Sequence, residues 1–124
     1  RFGNRGEWYC SSVSEMSVNE NDKFDIVIAT GILHHLEDFE ALQLIEIAFN
    51  ALKPHGRFIC LENTYTKDQS PVSRFIVSLD RGQNIRTPDG YIKLIKSHFK
   101  KYTVSVHHDL LRVPYTHAVF VAKK

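Results

Sequence analysis

The segment IVIATGILHHLED, residues 26–38, begins with four consecutive apolar residues, passes through Thr30 and Gly31, and ends in two histidines, Leu36 and two acids. Ile26 to Ala29, rich in β-branched side chains, reads as a strand covered on both faces in a parallel sheet, so a helix should follow. From Asp38 to Lys53 the polar residues Glu40, Gln43, Glu46 and Asn50 recur every three or four positions and form one narrow solvent stripe. The apolar residues between them, from Phe39 to Leu52, are assigned to the sheet. KPHG, residues 53–56, ends that helix, since Pro54 cannot continue it and Gly56 suits a left-handed turn. The chain then re-enters the sheet as RFICLE, residues 57–62. Strand, helix and strand make a βαβ unit with a right-handed crossover.

Outward from this unit the signals vary in strength. EWYCS, residues 7–11, reads as a short strand, and SVNENDK, residues 17–23, as a polar loop. SPVSRFIVSL, residues 70–79, suits a helix beginning after Ser70, and DRGQNIR, residues 80–86, a polar loop. Thr87 and Pro88 make a clearer start, a hydroxyl N-cap followed by proline at the first helical position, for a helix running to about Phe99. YTVSVHH, residues 102–108, alternates apolar and polar with period two, and HAVFVAKK, residues 117–124, is another apolar strand. The chain should therefore close with an antiparallel pair. There is no internal repeat, low-complexity tract or linker.

At 124 residues, 43% apolar and 24% charged, the composition is that of one ordinary soluble domain. No apolar run approaches the roughly 20 residues that cross a bilayer, and the N-terminus lacks the apolar stretch of a signal peptide. No membrane partner is expected. Cys10 and Cys60 are too few for a disulfide framework and lie in or beside apolar segments, which favours buried thiols and a cytoplasmic setting. Net charge is +2, yet residues 1–64 hold 5 Lys/Arg against 10 Asp/Glu and residues 65–124 hold 11 against 4, so the halves are −5 and +7. That asymmetry is either a solvated basic face or a back half that meets an anionic ligand. Nucleic acid is not expected, because the basic residues are spread over several elements and no recognition motif accompanies them.

In open α/β sheets ligands bind outside the carboxyl ends of the strands, which is where Ala29, Thr30 and Gly31 fall. Glycine there permits close approach. A metal on His34 and His35 is not expected, since adjacent residues point about 100° apart on a helix. One histidine should cap or pack the helix start and the other, His34, should face the cavity. LDRGQNIR and LRVPYTHA are unusually polar and aromatic for connecting segments, and such loops often carry function. Asp80, Arg81, Arg86, Arg112, Tyr115 and His117 are therefore the substrate-side candidates, each also readable as a surface or salt-bridge residue.

FDIVIATGILHHLEDFEALQLIEIAFNALKPHGRFICLE, residues 24–62, resembles the middle of a class I S-adenosylmethionine-dependent methyltransferase. There, an FD pair, an apolar strand, LHHL, an acidic turn, an amphipathic helix, LKPGG and a further strand follow in this order. RTPDGYIKLI is similar to the helix before the family's final hairpin, and FVAKK to its closing strand. The resemblance runs from about Cys10 to the end and implies a Rossmann-like α/β fold: a partial, mostly parallel sheet with helices on its faces and a C-terminal antiparallel hairpin. DRGQNIRT with RVPYTH is also similar to bacterial methyltransferases of this superfamily associated with surface-polysaccharide genes.

The resemblance implies S-adenosylmethionine as cofactor and transfer of its methyl group to a small-molecule or sugar-type acceptor. Ala29 and Thr30 would line the methionyl end, chiefly through backbone, with Gly31 allowing close approach. Ser12 stands where the family commonly has an aspartate that accepts from the adenine amino group, and Val13 would offer backbone and an apolar wall. His34 or His117 would serve as base if the acceptor must lose a proton.

Two departures count: His55 replaces a glycine in a turn remote from the cofactor, and nothing like GxGxG precedes residue 10, nor is there room for the family's first two strands. Residues 1–124 are thus expected to be the C-terminal portion of one methyltransferase domain. Taken alone, such a chain should bind the cofactor weakly or not at all, and should rearrange its N-terminal segment or self-associate through the unpaired edge of FDIVIA. The alternative reading is a methyltransferase-like binding or scaffold module that no longer catalyses. A nicotinamide-dependent Rossmann enzyme fits LHHL and the closing hairpin poorly.

Overall fold

Four strands form one sheet in the order β1-β2-β4-β3, and a computed structural model describes residues 5–19 and 23–124 of it and its surroundings. The strands are β1 (Phe24–Thr30), β2 (Leu52–Asn63), β3 (Lys101–His107) and β4 (His117–Lys123). The helices are α1 (Asp38–Ala51), α2 (Pro71–Ser78) and α3 (Pro88–Ile95), with 3₁₀ turns at Val13–Glu15 and Leu33–His35. β1 pairs parallel with β2 in the register Ile28 to Ile59 and Thr30 to Leu61. β4 lies antiparallel to both β2 and β3, with Asn63 and His107 each opposite His117. The carboxyl ends of β1 and β2 and the start of β4 therefore share one edge of the sheet.

Alternation divides the sheet into two unlike faces. Phe58, Cys60, Glu62, Ala118, Phe120 and Ala122 point to one side and are fully buried. Ala41, Leu44, Ile45 and Ala48 of α1 and Tyr91, Leu94 and Ile95 of α3 belong to the same core. Phe58 and Phe99 stack at 5.6 Å between ring centroids, and Phe49 meets Phe99 edge-on at 5.2 Å. Lys124 ties the C-terminus to this layer: its ammonium donates to the carbonyls of Phe49 and Leu52 at the end of α1, the first of which also accepts the C-cap N–H of Leu52. On the other side, Ile26 and Ile28 are exposed and Ile59, Leu61, Val119 and Val121 are half-buried.

Local chemistry explains the helix starts. Ser70 accepts from the Ser73 N–H and Thr87 from the Gly90 N–H, each followed by proline at the first helical position. α1 begins with Glu37 and Glu40 in a reciprocal capping box. Among the described residues no helix is long and apolar enough to cross a membrane.

Several expectations need correction. EWYCS is not a strand: with no neighbouring strand to pair with, Trp8 and Tyr9 are each 84% exposed, and Cys10 is exposed rather than buried. β1 is the edge strand and is covered on one face only. Phe39, in the first turn of α1, is 71% exposed rather than packed on the sheet. KPHG is not a simple turn; β2 starts at Leu52, paired with Phe24, and its register shifts before Arg57. The left-handed residue there is His55 (φ 67°), while Gly56 is needed for space, a Cβ at that position lying 2.9 Å from Leu52 Cδ2 and from the Lys53 carbonyl. α3 ends at Ile95, and the turns that follow carry the chain to Phe99.

Candidate functional site

β1 ends at Thr30, and Gly31 (φ 62°) turns the chain away while its N–H donates to the Leu61 carbonyl at 2.9 Å. A positive φ is strained for residues with a Cβ, so glycine makes this exit possible. Leu33–His35 then form a single 3₁₀ turn, in which the His35 N–H donates to the Ile32 carbonyl at 3.0 Å while the N–H groups of Ile32, Leu33 and His34 need a partner from elsewhere. Glu62 supplies one. Its Oε1 accepts from the N–H groups of Ile32 (3.0 Å) and Leu33 (2.9 Å), and Oε2 from that of His34 (3.3 Å). Glu62 is the last core-facing residue of β2, so the strand that pairs with β1 also holds the turn that follows β1.

Glu62 Oε2 also accepts from His34 Nδ1 at 2.7 Å, and the ring is 3% exposed. The opposite nitrogen, Nε2, lies 3.3 Å from Asp80 Oδ1. Asp80 is fixed in turn: its Oδ1 accepts from the Gly82 N–H (2.9 Å), and its Oδ2 from the Tyr115 hydroxyl (2.6 Å) and Asn63 Nδ2 (2.7 Å). Burial opposes ionisation of Asp80, but the Tyr115 hydroxyl, the Gly82 N–H and the two histidines outweigh it and hold the carboxyl below its ordinary value. Burial and the Asp80 carboxylate push the Tyr115 hydroxyl up, so it remains a donor.

The 80–86 loop closes over this array. Asn84 N–H donates to the His34 carbonyl at 2.9 Å, and a Cβ on Gly82 would overlap the His34 imidazole. Arg86 clamps the other end of the turn. Nη1 donates to the Leu33 carbonyl (2.8 Å), Nη2 to that of Leu36 (2.9 Å), and Nε and Nη2 to Asp38 Oδ1 (3.1 and 2.7 Å).

The sequence-derived candidates divide accordingly. His34, Asp80 and Tyr115 come together, and His117 stacks on Tyr115 at 5.1 Å. Burial, and then His107, lower the His117 imidazole below its usual range, and its buried Nδ1 has no hydrogen-bond partner among the described residues. Arg86 is engaged by protein acceptors and structures the histidine turn. Arg81 and Arg112 are exposed and form no ion pair among the described residues. Ala29 is buried, while Thr30 and Gly31 are exposed at the carboxyl edge. Ser12 caps the Val13–Glu15 turn, its hydroxyl 2.9 Å from that of Ser14, and Val13 packs on the core near α1.

Although adjacent positions of this 3₁₀ turn point well apart around its axis, the side chains bring the His34 and His35 ring centroids to 4.1 Å at 40°. Sequence reasoning missed Glu62, Asn63 and Gly82. A signal for the first was present, since Glu62 continues the inward alternation of Phe58 and Cys60. Concavities of about 600 Å³ beside Tyr9 and Phe24 and about 450 Å³ beside Arg74 and Phe75 lie away from the histidine turn.

Residues 1–60 match the family model described as a methyltransferase domain. Solved structures extend the likeness to 81–93% of the chain. Human N-acetylserotonin methyltransferase in complex with SAM superposes with a TM-score of 0.62 at 21% identity, over 81% of this chain and 29% of that one. The pyocyanin biosynthetic protein PhzM gives 0.65 at 20% identity, over 93% and 34% of the two chains. The mitomycin 7-O-methyltransferase MmcR gives 0.64 at 12% identity, over 93% and 33%. The chain has the fold of the class I S-adenosylmethionine-dependent methyltransferases. The chain spans about a third of the length of those structures. No curated protein matches its sequence closely enough to add to this.

Proposed function

We propose that the chain forms the acceptor-side part of an enzyme that transfers a methyl group from S-adenosylmethionine to a hydroxyl of a small molecule, one that is anionic or of sugar type. The reading is carried by one observation: an ordered imidazole, held by Glu62 and facing Asp80, stands directly after the strand that ends at the carboxyl edge. Thr30 and Gly31 are exposed there and leave room beside them, since a Cβ on Gly31 would meet nothing nearer than His34 Cε1 at 3.7 Å. This suits the methionyl end of the donor, with Ser12 and Val13 assigned to the adenine. The donor supplies an already activated methyl group on a sulfonium.

What remains for the protein is orientation, exclusion of water and removal of one proton. Glu62 accepts from Nδ1, so the base would be His34 Nε2, which lies 3.3 Å from Asp80 Oδ1 and which the acceptor hydroxyl would have to reach beside that carboxylate. Asp80, on the same side, stabilises the imidazolium that results. Tyr115, His117 and Asn63 surround the approach, and exposed Arg81 and Arg112 favour an acceptor carrying carboxylate or phosphate.

Photo-crosslinking of radiolabelled S-adenosylmethionine to the 124-residue chain at millimolar donor should label peptides containing residues 29–31. Label confined elsewhere, or none, would defeat the placement. Within the complete protein, His34→Gln should lower turnover by about 10²–10⁴-fold with the donor dissociation constant unchanged. The alternative reading, a binding module without catalysis, requires the same binding and no methyl transfer to a panel of hydroxylated acceptors.

A further inference from the structure

His34 Nε2 and Asp80 Oδ1 face each other at 3.3 Å, and the identity of the atom between them is the question the site poses. Both Glu62 oxygens accept N–H bonds, so Nδ1 carries the ring hydrogen toward that carboxylate. In the neutral ring Nε2 is then a lone pair directed at a carboxylate oxygen. Two acceptors at this distance need a cation or a second proton between them. His35 adds a third group: one ring nitrogen of each histidine and one Asp80 oxygen all lie within 4.8 Å of one another.

We propose that His34, His35 and Asp80 bind a divalent first-row transition ion, zinc foremost, through His34 Nε2, a His35 ring nitrogen and Asp80 Oδ1. Ligands about 2.1 Å from a tetrahedral ion are roughly 3.4 Å apart, which the His34–Asp80 pair already matches. His35 is exposed, so a side-chain rotation brings it to the same ion. The outer partners are also those of a metal centre. A carboxylate, Glu62, orients the buried histidine through its other nitrogen, and Tyr115, Asn63 and the Gly82 N–H orient the ligating carboxylate. Two nitrogens and one oxygen suit zinc or its first-row neighbours rather than magnesium or calcium, and three protein ligands leave a position for an exogenous oxygen.

The proposal stands apart from the methyl-transfer reading, because its readout is the ion itself. Where both hold, the ion occupies the lone pair that a base would use, and an acceptor oxygen would lose its proton through coordination instead.

Cobalt(II) and zinc(II) are titrated into the 124-residue chain at pH 7, the first followed by visible absorption and the second by calorimetry. One saturable equivalent is expected, with the intense absorption of a four-coordinate cobalt ion. His35→Gln and Asp80→Asn should each weaken binding by at least about tenfold, and Glu62→Gln, which removes the outer partner of His34, by about 10–100-fold. Far-UV circular dichroism verifies the fold of each variant, and His35→Gln, at an exposed position, keeps the test valid if the buried variants do not fold. Binding that is unchanged in both His35→Gln and Asp80→Asn would place the ion on other histidines and overturn the proposal. So would an absence of uptake with both His34 ring nitrogens protonated by ¹⁵N NMR, which would assign the space between the acceptors to a proton.

Discussion

The two faces of the sheet are built from equally apolar strands, yet one is sealed and the other half open. Toward α1 and α3, every inward position of β2 and β4 from Phe58 to Glu62 and from Ala118 to Ala122 is fully buried. Toward the opposite side, Ile28 is 63% exposed although it sits in the middle of β1, beside Ile59. Hydrophobicity alone therefore does not report burial; the covering layer does. The sealed face holds the stability, and its rim holds the polar array, because only a packed layer can fix a carboxylate against three N–H groups and an imidazole.

The largest expected effect follows from that contrast. Phe120→Ala, on the sealed face and against the Tyr91 ring, should cost about 3–5 kcal/mol of unfolding free energy by urea denaturation. A loss below 1 kcal/mol would mean that the two faces do not differ in the way described. Glu62→Gln tests the polar rim of the same face. Its amide would present donors to N–H groups that now share a carboxylate, and at least one buried donor would go unpaired, for a loss of about 3 kcal/mol. Glu62→Gln should also change the His34 ring ¹⁵N shifts, whereas Phe120→Ala should leave them in place.

Much of this was legible before the structure. The β1–α1–β2 unit, the serine and threonine caps and the closing pair all follow from local signals, each with its own physical cause. What escaped was whatever depended on a partner distant in sequence. The histidine turn is 3₁₀ because Glu62, 28 residues beyond His34, takes its N–H groups, and no periodicity near residue 34 records that. EWYCS has strand composition but no strand beside it. Arg86 looked like a free cation for a ligand and is instead bonded to the carbonyls that end the histidine turn.

Gly82→Ala has an intermediate effect and sharpens the account of the rim. A Cβ there would overlap the His34 ring and lie 2.9 Å from the His34 carbonyl, so the loop must lift or the ring must turn. A loss of about 1–3 kcal/mol is expected. Because the Gly82 N–H and Asn84 N–H bonds leave with the loop, amide exchange at residues 82–86 should accelerate while the Phe58 and Phe120 amides stay protected. Uniform acceleration would show that the loop and the core open as one unit.

The smallest effect belongs to the open face. At Ile28 the side chain is already mostly in water, so Ile28→Thr removes little buried apolar area and keeps a β-branched residue in the strand. Stability should change by no more than about 0.5 kcal/mol. The same residue, however, lies on the free edge of the sheet, where unpaired N–H and C=O groups adjoin exposed isoleucines and can template pairing with another chain. If that edge drives association, light scattering across a concentration series should show a smaller average mass for Ile28→Thr, and smaller still for Ile28→Lys, with the urea midpoint nearly unchanged. A stability loss comparable to that of Phe120→Ala would instead mean that the open face is covered in solution, and the contrast between the two faces would then have to be redrawn around whatever covers it.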